Sequence, residues 1–175
     1  GDHARHLLEL AVGHDERPVV PDHAAKSLGG EQTFREDIAA AEQLAAILDG
    51  LVDRVARRLR AQSLRARTVT LKARYADFTT VTRATTLAGP TDQTVRLRET
   101  ARHLLADRLD RRGRPLRLLG VALSHFEDGA VGQGRLFGDP QQERESTLDR
   151  LVDRVHDRFG AKLGRGLVPP TDEDR

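Results

Sequence analysis

The chain has 175 residues, 38% of them hydrophobic, and no cysteine, which gives room for one sizeable domain with appendages and excludes a disulfide framework or a thiolate metal site. No apolar run reaches the roughly 18 residues of a membrane-spanning helix. The formal net charge of +2 conceals an asymmetry: 4 basic against 10 acidic side chains in residues 1–50, 17 against 6 in 51–120, and 8 against 11 in 121–175. A basic middle between acidic ends predicts one polyanion-binding surface.

His3 to Gly13 reads as a short helix, with Leu7, Leu8 and Leu10 apolar and Gly13 as its stop. Asp15 to Ala25 holds Pro18 and Pro21 and no periodicity, so it predicts an extended linker. Lys26 to Phe34 predicts a strand with a bulge at Gly29-Gly30. From Asp37 to about Gln62, residues Leu44, Ile47, Leu48, Leu51, Val55 and Leu59 recur at helical spacing and define an amphipathic helix. In Thr68–Tyr75, Val69, Leu71, Ala73 and Tyr75 point one way and Thr68, Thr70, Lys72 and Arg74 the other. Ala76-Asp77 supplies a turn, and Phe78–Leu87 returns as a strand with Thr80 and Thr82 opposite Val81 and Leu87. Pro90-Thr91-Asp92 signals a helix start, and the helix Gln93–Leu109 is expected to bury Val95, Leu97, Ala101, Leu104 and Leu105. Pro115–Phe126 is the last strand, with Leu119, Val121 and Leu123 inward. Glycines 129, 132, 134 and 138 mark a loop. Ser146 is expected to cap a final helix carrying Leu148, Leu151, Val152, Val155 and Phe159, ended by Gly160, with a disordered tail from Gly164.

The order β-α-β-β-α-β predicts an α+β fold of ferredoxin-like type: a four-stranded antiparallel sheet, two helices on one face and a C-terminal helix. The other face is then free. The hairpin over residues 65–88, crowded with Arg, Lys and Thr, turns its polar side to it, and such a face suits a polyanion.

The segments GDHARHLLELAVGHDERPVVPDHAAKSLGGEQTF, RARTVTLKARYADFTTVTRATTL and RPLRLLGVALSHFED resemble, in this order, the C-terminal third of Y-family translesion DNA polymerases of the polymerase IV branch. The resemblance implies the end of a thumb domain at 1–14, a linker at 15–25, a DNA-binding little finger at 26–128, a loop at 129–140 and a C-terminal helix and tail at 141–175. It implies a sequence-independent grip on primer–template duplex. Lys26 and Ser27 on the first strand, Thr82 and Arg83 on the third and Arg117 on the fourth are the implied phosphate contacts. Lys72 and Arg74 join them from the alternation. Leu118 and Ala122 stand where family members often carry further basic residues. Gln133-Gly134-Arg135-Leu136-Phe137 resembles the sliding-clamp-binding peptide of bacterial polymerases. Leu136 and Phe137 would fill a pocket while Gln133 hydrogen-bonds at its rim. Gly134 occupies a position that is usually apolar in the family.

The family's chemistry is two-metal phosphoryl transfer by palm-domain carboxylates. The resemblance puts those residues and their magnesium outside this sequence. Glu127-Asp128 reads as a solvated turn and Asp172-Glu173-Asp174 as part of the tail. His3 and His6 share a helix face without a third ligand, and the seven histidines show no metal-ligand spacing. There is no phosphate loop and no nucleophile elbow. No catalytic residue, metal ligand or cofactor is therefore expected here, and the chain alone is expected to be inactive. Gly1 and the lack of any methionine predict a piece of a longer protein, with palm and thumb domains as its other partners. No signal peptide is recognisable, so a bacterial cytoplasmic, nucleoid-associated location is expected. Nearly all basic residues are Arg, with only Lys26, Lys72 and Lys162 as exceptions, as a GC-rich coding sequence would give. The same residues leave two other readings open: a protein–protein docking module for the clamp or the polymerase core, and a generic ferredoxin-like regulatory domain.

Overall fold

Eight elements follow one another in the computed structural model, which describes residues 2–18, 25–128 and 140–160. They are α1 (Asp2–Ala11), β1 (Ser27–Ile38), α2 (Ala41–Ala61), β2 (Leu64–Tyr75), β3 (Thr80–Thr91), α3 (Thr94–His103), β4 (Leu116–Asp128) and α4 (Pro140–Phe159). A π-helical turn over Leu104–Arg108 prolongs α3. The strands form one antiparallel sheet in the order β1-β4-β2-β3, so β2 and β4 lie at its centre. The expected α+β architecture stands: four antiparallel strands, with α2 and α3 against one face. Among the described residues no helix is long and apolar enough to cross a membrane.

The core follows from two periodicities meeting. Leu44, Leu48, Leu51, Val52, Val55 and Leu59 line one side of α2 and are at most 2% exposed. They belong to one apolar cluster with Val69, Leu71 and Ala73 of β2, Leu119, Val121 and Leu123 of β4, and Leu97, Ala101 and Leu104 from α3 and its π turn. Each fully buried aliphatic side chain contributes about 1.5–3 kcal/mol, so this layer dominates the stability.

Several boundaries differ from expectation, each for a local reason. β1 runs through Gly29-Gly30 in unbroken register, and its irregularity falls between Thr33 and Ile38. Gly29 serves close approach, since a Cβ there would lie 3.1 Å from the Val121 carbonyl oxygen. Asp37 and Ile38 stay in β1, because Ile38 pairs with Leu116, and α2 starts only at Ala41. The β2–β3 turn takes in Phe78, whose φ is +66° and whose N–H donates to the Tyr75 carbonyl at 2.9 Å. Pro90 and Thr91 extend β3 rather than opening a helix, since Thr91 pairs with Ala66.

The last helix departs most. It begins at Pro140, and Ser146 is an internal residue whose hydroxyl accepts a hydrogen bond from Gln93 at 3.3 Å. Its apolar side does not seek the core: Leu148, Leu151 and Phe159 are 48%, 45% and 69% exposed. Its acidic side docks instead. The buried Asp149 carboxylate accepts the backbone N–H of Thr94, the first residue of α3, at 3.0 Å. Gln93 before it makes no side-chain cap, so α4 caps α3 from outside. Arg60 of α2 clasps Asp153 at 2.6 and 2.9 Å, lies 3.6 Å from Asp149, and also donates to the Asp92 carbonyl and Thr94 Oγ1.

Candidate nucleic-acid interface

On the side of the sheet away from α2 and α3, strand alternation and register generate a four-by-four lattice. Read from β1 through β4 and β2 to β3, its rows are Ser27–Ser124–Thr68–Thr86, Gly29–Ala122–Thr70–Ala84, Glu31–Gly120–Lys72–Thr82 and Thr33–Leu118–Arg74–Thr80. Eight of these positions carry hydroxyls and three are charged, and the largest apolar member, Leu118, is only 4% exposed. The face is low in relief and rich in groups that can donate a hydrogen bond to a phosphate oxygen.

Most of the expected contacts meet on this face. Ser27 opens the first row, with the exposed Lys26 just before it, and Lys26 has no ion-pair partner among the described residues. Lys72 and Thr82 are direct neighbours in the third row. In the fourth, Arg74 Nε donates to Thr80 Oγ1 at 2.8 Å, which holds the guanidinium along the sheet. Leu118 and Ala122 do lie on this face, so β4 contributes no charge to it.

Two expected contact residues lie off this lattice. Arg83 pairs with Leu71 and therefore points to the helix side of the edge strand β3. There its guanidinium donates to the carbonyls of Arg108 and Thr82, each at 2.9 Å. Arg117 falls where the β2–β4 register slips, and it is committed elsewhere. It donates to Asp37 at 3.1 Å and lies 4.9 Å from the Phe78 ring centre. Gln133, Leu136 and Phe137 lie outside the described residues.

Sequence reasoning missed Glu31. Its carboxylate meets the Lys72 ammonium at 2.8 Å across the intervening strand. Gly120 lies between them, and a Cβ there would come within 2.9 Å of the Glu31 Cβ. The alternation of β1 could have placed Glu31 on this face, but the glycine that admits the pair becomes visible only with the register. The lattice thus holds Glu31, Lys72 and Arg74, a net charge of +1. The basic excess of residues 51–120 largely sits elsewhere. Arg98 pairs with Asp53 at 2.5 Å, Arg102 forks onto Asp49, and Arg114 meets Asp77 at 2.7 Å. The Asp77 carboxyl is held below its usual pKa, chiefly by the Thr79 N–H and with help from Arg114. Among the described residues no three His, Cys, Asp or Glu side chains are grouped to hold a metal ion.

Residues 25–136 match the family described as the impB/mucB/samB family C-terminal domain. DNA polymerase IV of Desulfatibacillum aliphaticivorans is 40% identical over 166 residues, covering 94% of this chain and 41% of that protein. DNA polymerase IV of Streptomyces coelicolor is 44% identical over 181 residues, covering 95% of this chain and 37% of its own length. The chain thus spans about two fifths of the length of these curated relatives. Among solved structures, a complex of the β-clamp processivity factor with the little finger domain of PolIV aligns with a TM-score of 0.49 and 25% identity, covering 65% of this chain and 98% of that one.

Proposed function

The chain belongs to the impB/mucB/samB family C-terminal domain, the little-finger part of Y-family DNA polymerases, and from that membership we propose that its open sheet face holds primer–template duplex without reading sequence. The observation that carries this is the lattice itself: a hydroxyl-rich face with Lys72 and Arg74 on it and Lys26 at its corner, opposite the helices. Lys26, Lys72 and Arg74 supply charge, and Ser27 and Thr82 supply hydroxyls. Such contacts fix the position of a duplex and leave its sequence free. In a longer parent polymerase the domain grips DNA while palm carboxylates elsewhere, with their magnesium, carry out damage-bypass synthesis. The chain alone performs no nucleotidyl transfer. Gln133, Leu136 and Phe137 add a tether to the sliding clamp, a reading supported by the sequence of that peptide. Such a grip on DNA would put the protein at the nucleoid.

Fluorescence anisotropy with primed duplex DNA over a series of salt concentrations tests the reading. Three basic contacts predict a log–log salt slope of about −3. Absence of binding at low salt, or binding with no salt dependence, overturns it. For the tether, Leu136→Ala with Phe137→Ala abolishes capture by the clamp, and unchanged capture removes that part alone.

A further inference from the structure

A cleft of about 930 Å³ lies between the C-terminal half of α2 and α4. Arg57 and Arg58 face it from α2 and Arg150 and Arg154 from α4, with Leu64 at the start of β2 beside them. Arg60 in its wall is already occupied by Asp153 and Asp149, and Arg58 donates to the Gly29 carbonyl at 3.0 Å. Arg57, Arg150 and Arg154 have no hydrogen-bond or ion-pair partner among the described residues. The adjoining α2–α3 groove is the opposite case, for there Arg98 and Arg102 are matched by Asp49 and Asp53. Five arginines against Asp92, Asp153 and Asp157 leave the cleft lining at +2.

We propose that this cleft is a second polyanion site, which takes the phosphates of a nucleic-acid strand running on past the open sheet face. Three lines carry it. First, an excess of cations converges in a concavity, which focuses potential there. Second, the cleft is preformed, because the buried Asp149 and the Arg60–Asp153 clasp fix α4 against α2 before any ligand arrives. Third, it is continuous with the other face. Leu64 pairs with Asp128 at the end of the sheet where Ser27 pairs with Ser124, and Arg58 reaches the Gly29 carbonyl on β1. The Lys26 corner and the cleft therefore share this end of the sheet. Planar guanidinium groups suit phosphate oxygens, which they bind in pairs. The inference rests on the proposed DNA grip only for the identity of the strand.

The test compares wild type with the triple variant Arg57→Ala, Arg150→Ala, Arg154→Ala on a duplex of about 10 base pairs and one of about 25, each across a salt series. All three side chains are at least partly exposed, so the melting temperature is expected to hold. The variant should match wild type on the short duplex. On the long one it should lose about 10- to 30-fold in affinity at low salt, with a slope shallower by about 2 to 3. Unchanged affinity and slope on the long duplex overturn the cleft and leave the sheet face standing. Binding of the long duplex alone, abolished by the variant, supports the cleft and overturns the sheet-face reading. Failure of wild type to bind either duplex overturns both. If the substitutions weaken binding of poly-glutamate but not of DNA, the cleft serves an acidic protein surface and the nucleic-acid assignment is overturned.

Discussion

Glu31 and Lys72 restrain one another across a glycine, and this pair sets how much charge the sheet face offers. Both side chains are partly exposed, at 52% and 37%, so the pair adds little to stability. Its effect lies in competition: an incoming phosphate must displace a carboxylate already hydrogen-bonded to the ammonium. Glu31→Gln should tighten duplex binding about three- to tenfold at low salt. In a Lys72→Ala background the same change should gain clearly less, and a double-mutant cycle by anisotropy separates this competition from plain repulsion of DNA. Asp77 acts in the adjoining turn. Its carboxyl has a folded-state pKa below the ordinary value, so its contribution is present above the unfolded carboxylate pKa and is lost as pH falls through the folded one. Asp77→Asn should therefore narrow the difference in urea midpoint between pH 7 and pH 3. At this scale the sequence was legible where alternation ruled. Thr68, Thr70, Lys72 and Arg74 were placed correctly because Val69, Leu71 and Ala73 share the opposite face. Arg83 came from family resemblance, and alternation through Val81 already assigns it to the helix side.

Among the elements, α4 shows how periodicity finds a helix without finding its dock. The apolar spacing of Leu148, Val152, Val155 and Phe159 is plain in the sequence and suggests burial along that stripe. The structure spends the neighbouring acidic side instead, because α3 starts without a side-chain cap and Arg60 lies half-buried beside it. Neither demand is visible until α2 and α3 have come together. Arg60→Ala would remove the guanidinium that clasps Asp153 at 2.6 and 2.9 Å, and removing one partner of a buried pair costs about 3–5 kcal/mol. Part of that cost is avoided if α4 detaches, so hydrogen exchange should show amide protection lost across α4 first, with the sheet still protected. Equal loss across both would mean that α4 is integral to the core. α2 was the most legible element, since a long apolar stripe has one use in a mixed fold, while its start was misjudged because β1 keeps Asp37 and Ile38.

Taken as a whole, the molecule distributes its charge over more than one surface. The net +11 of residues 51–120 suggested a single basic face, yet the lattice carries only +1, and Arg60, Arg98 and Arg102 on the helical side are matched by aspartates. Linear charge counts miss this because several partners lie outside the counted window: Asp49 for Arg102, and Asp149 and Asp153 for Arg60. Swapping both lattice cations, Lys72→Ala with Arg74→Ala, should weaken duplex binding about equally for unrelated sequences and reduce the salt slope by about 2. A sequence-dependent loss would mean that the face reads bases.

The strand order has a mechanical consequence. β1 enters the sheet at the Ser27–Ser124 rung, and β4 leaves it a few residues later at Asp128, so entry and exit lie side by side at one end. A pull between the chain on either side would load the β1–β4 pair as a zipper rather than in shear, opening one rung at a time toward Thr33–Leu118. β2 and β3 lie outside that line of force. Under tension the domain should yield at β1 first, at low force, with its hairpin still paired.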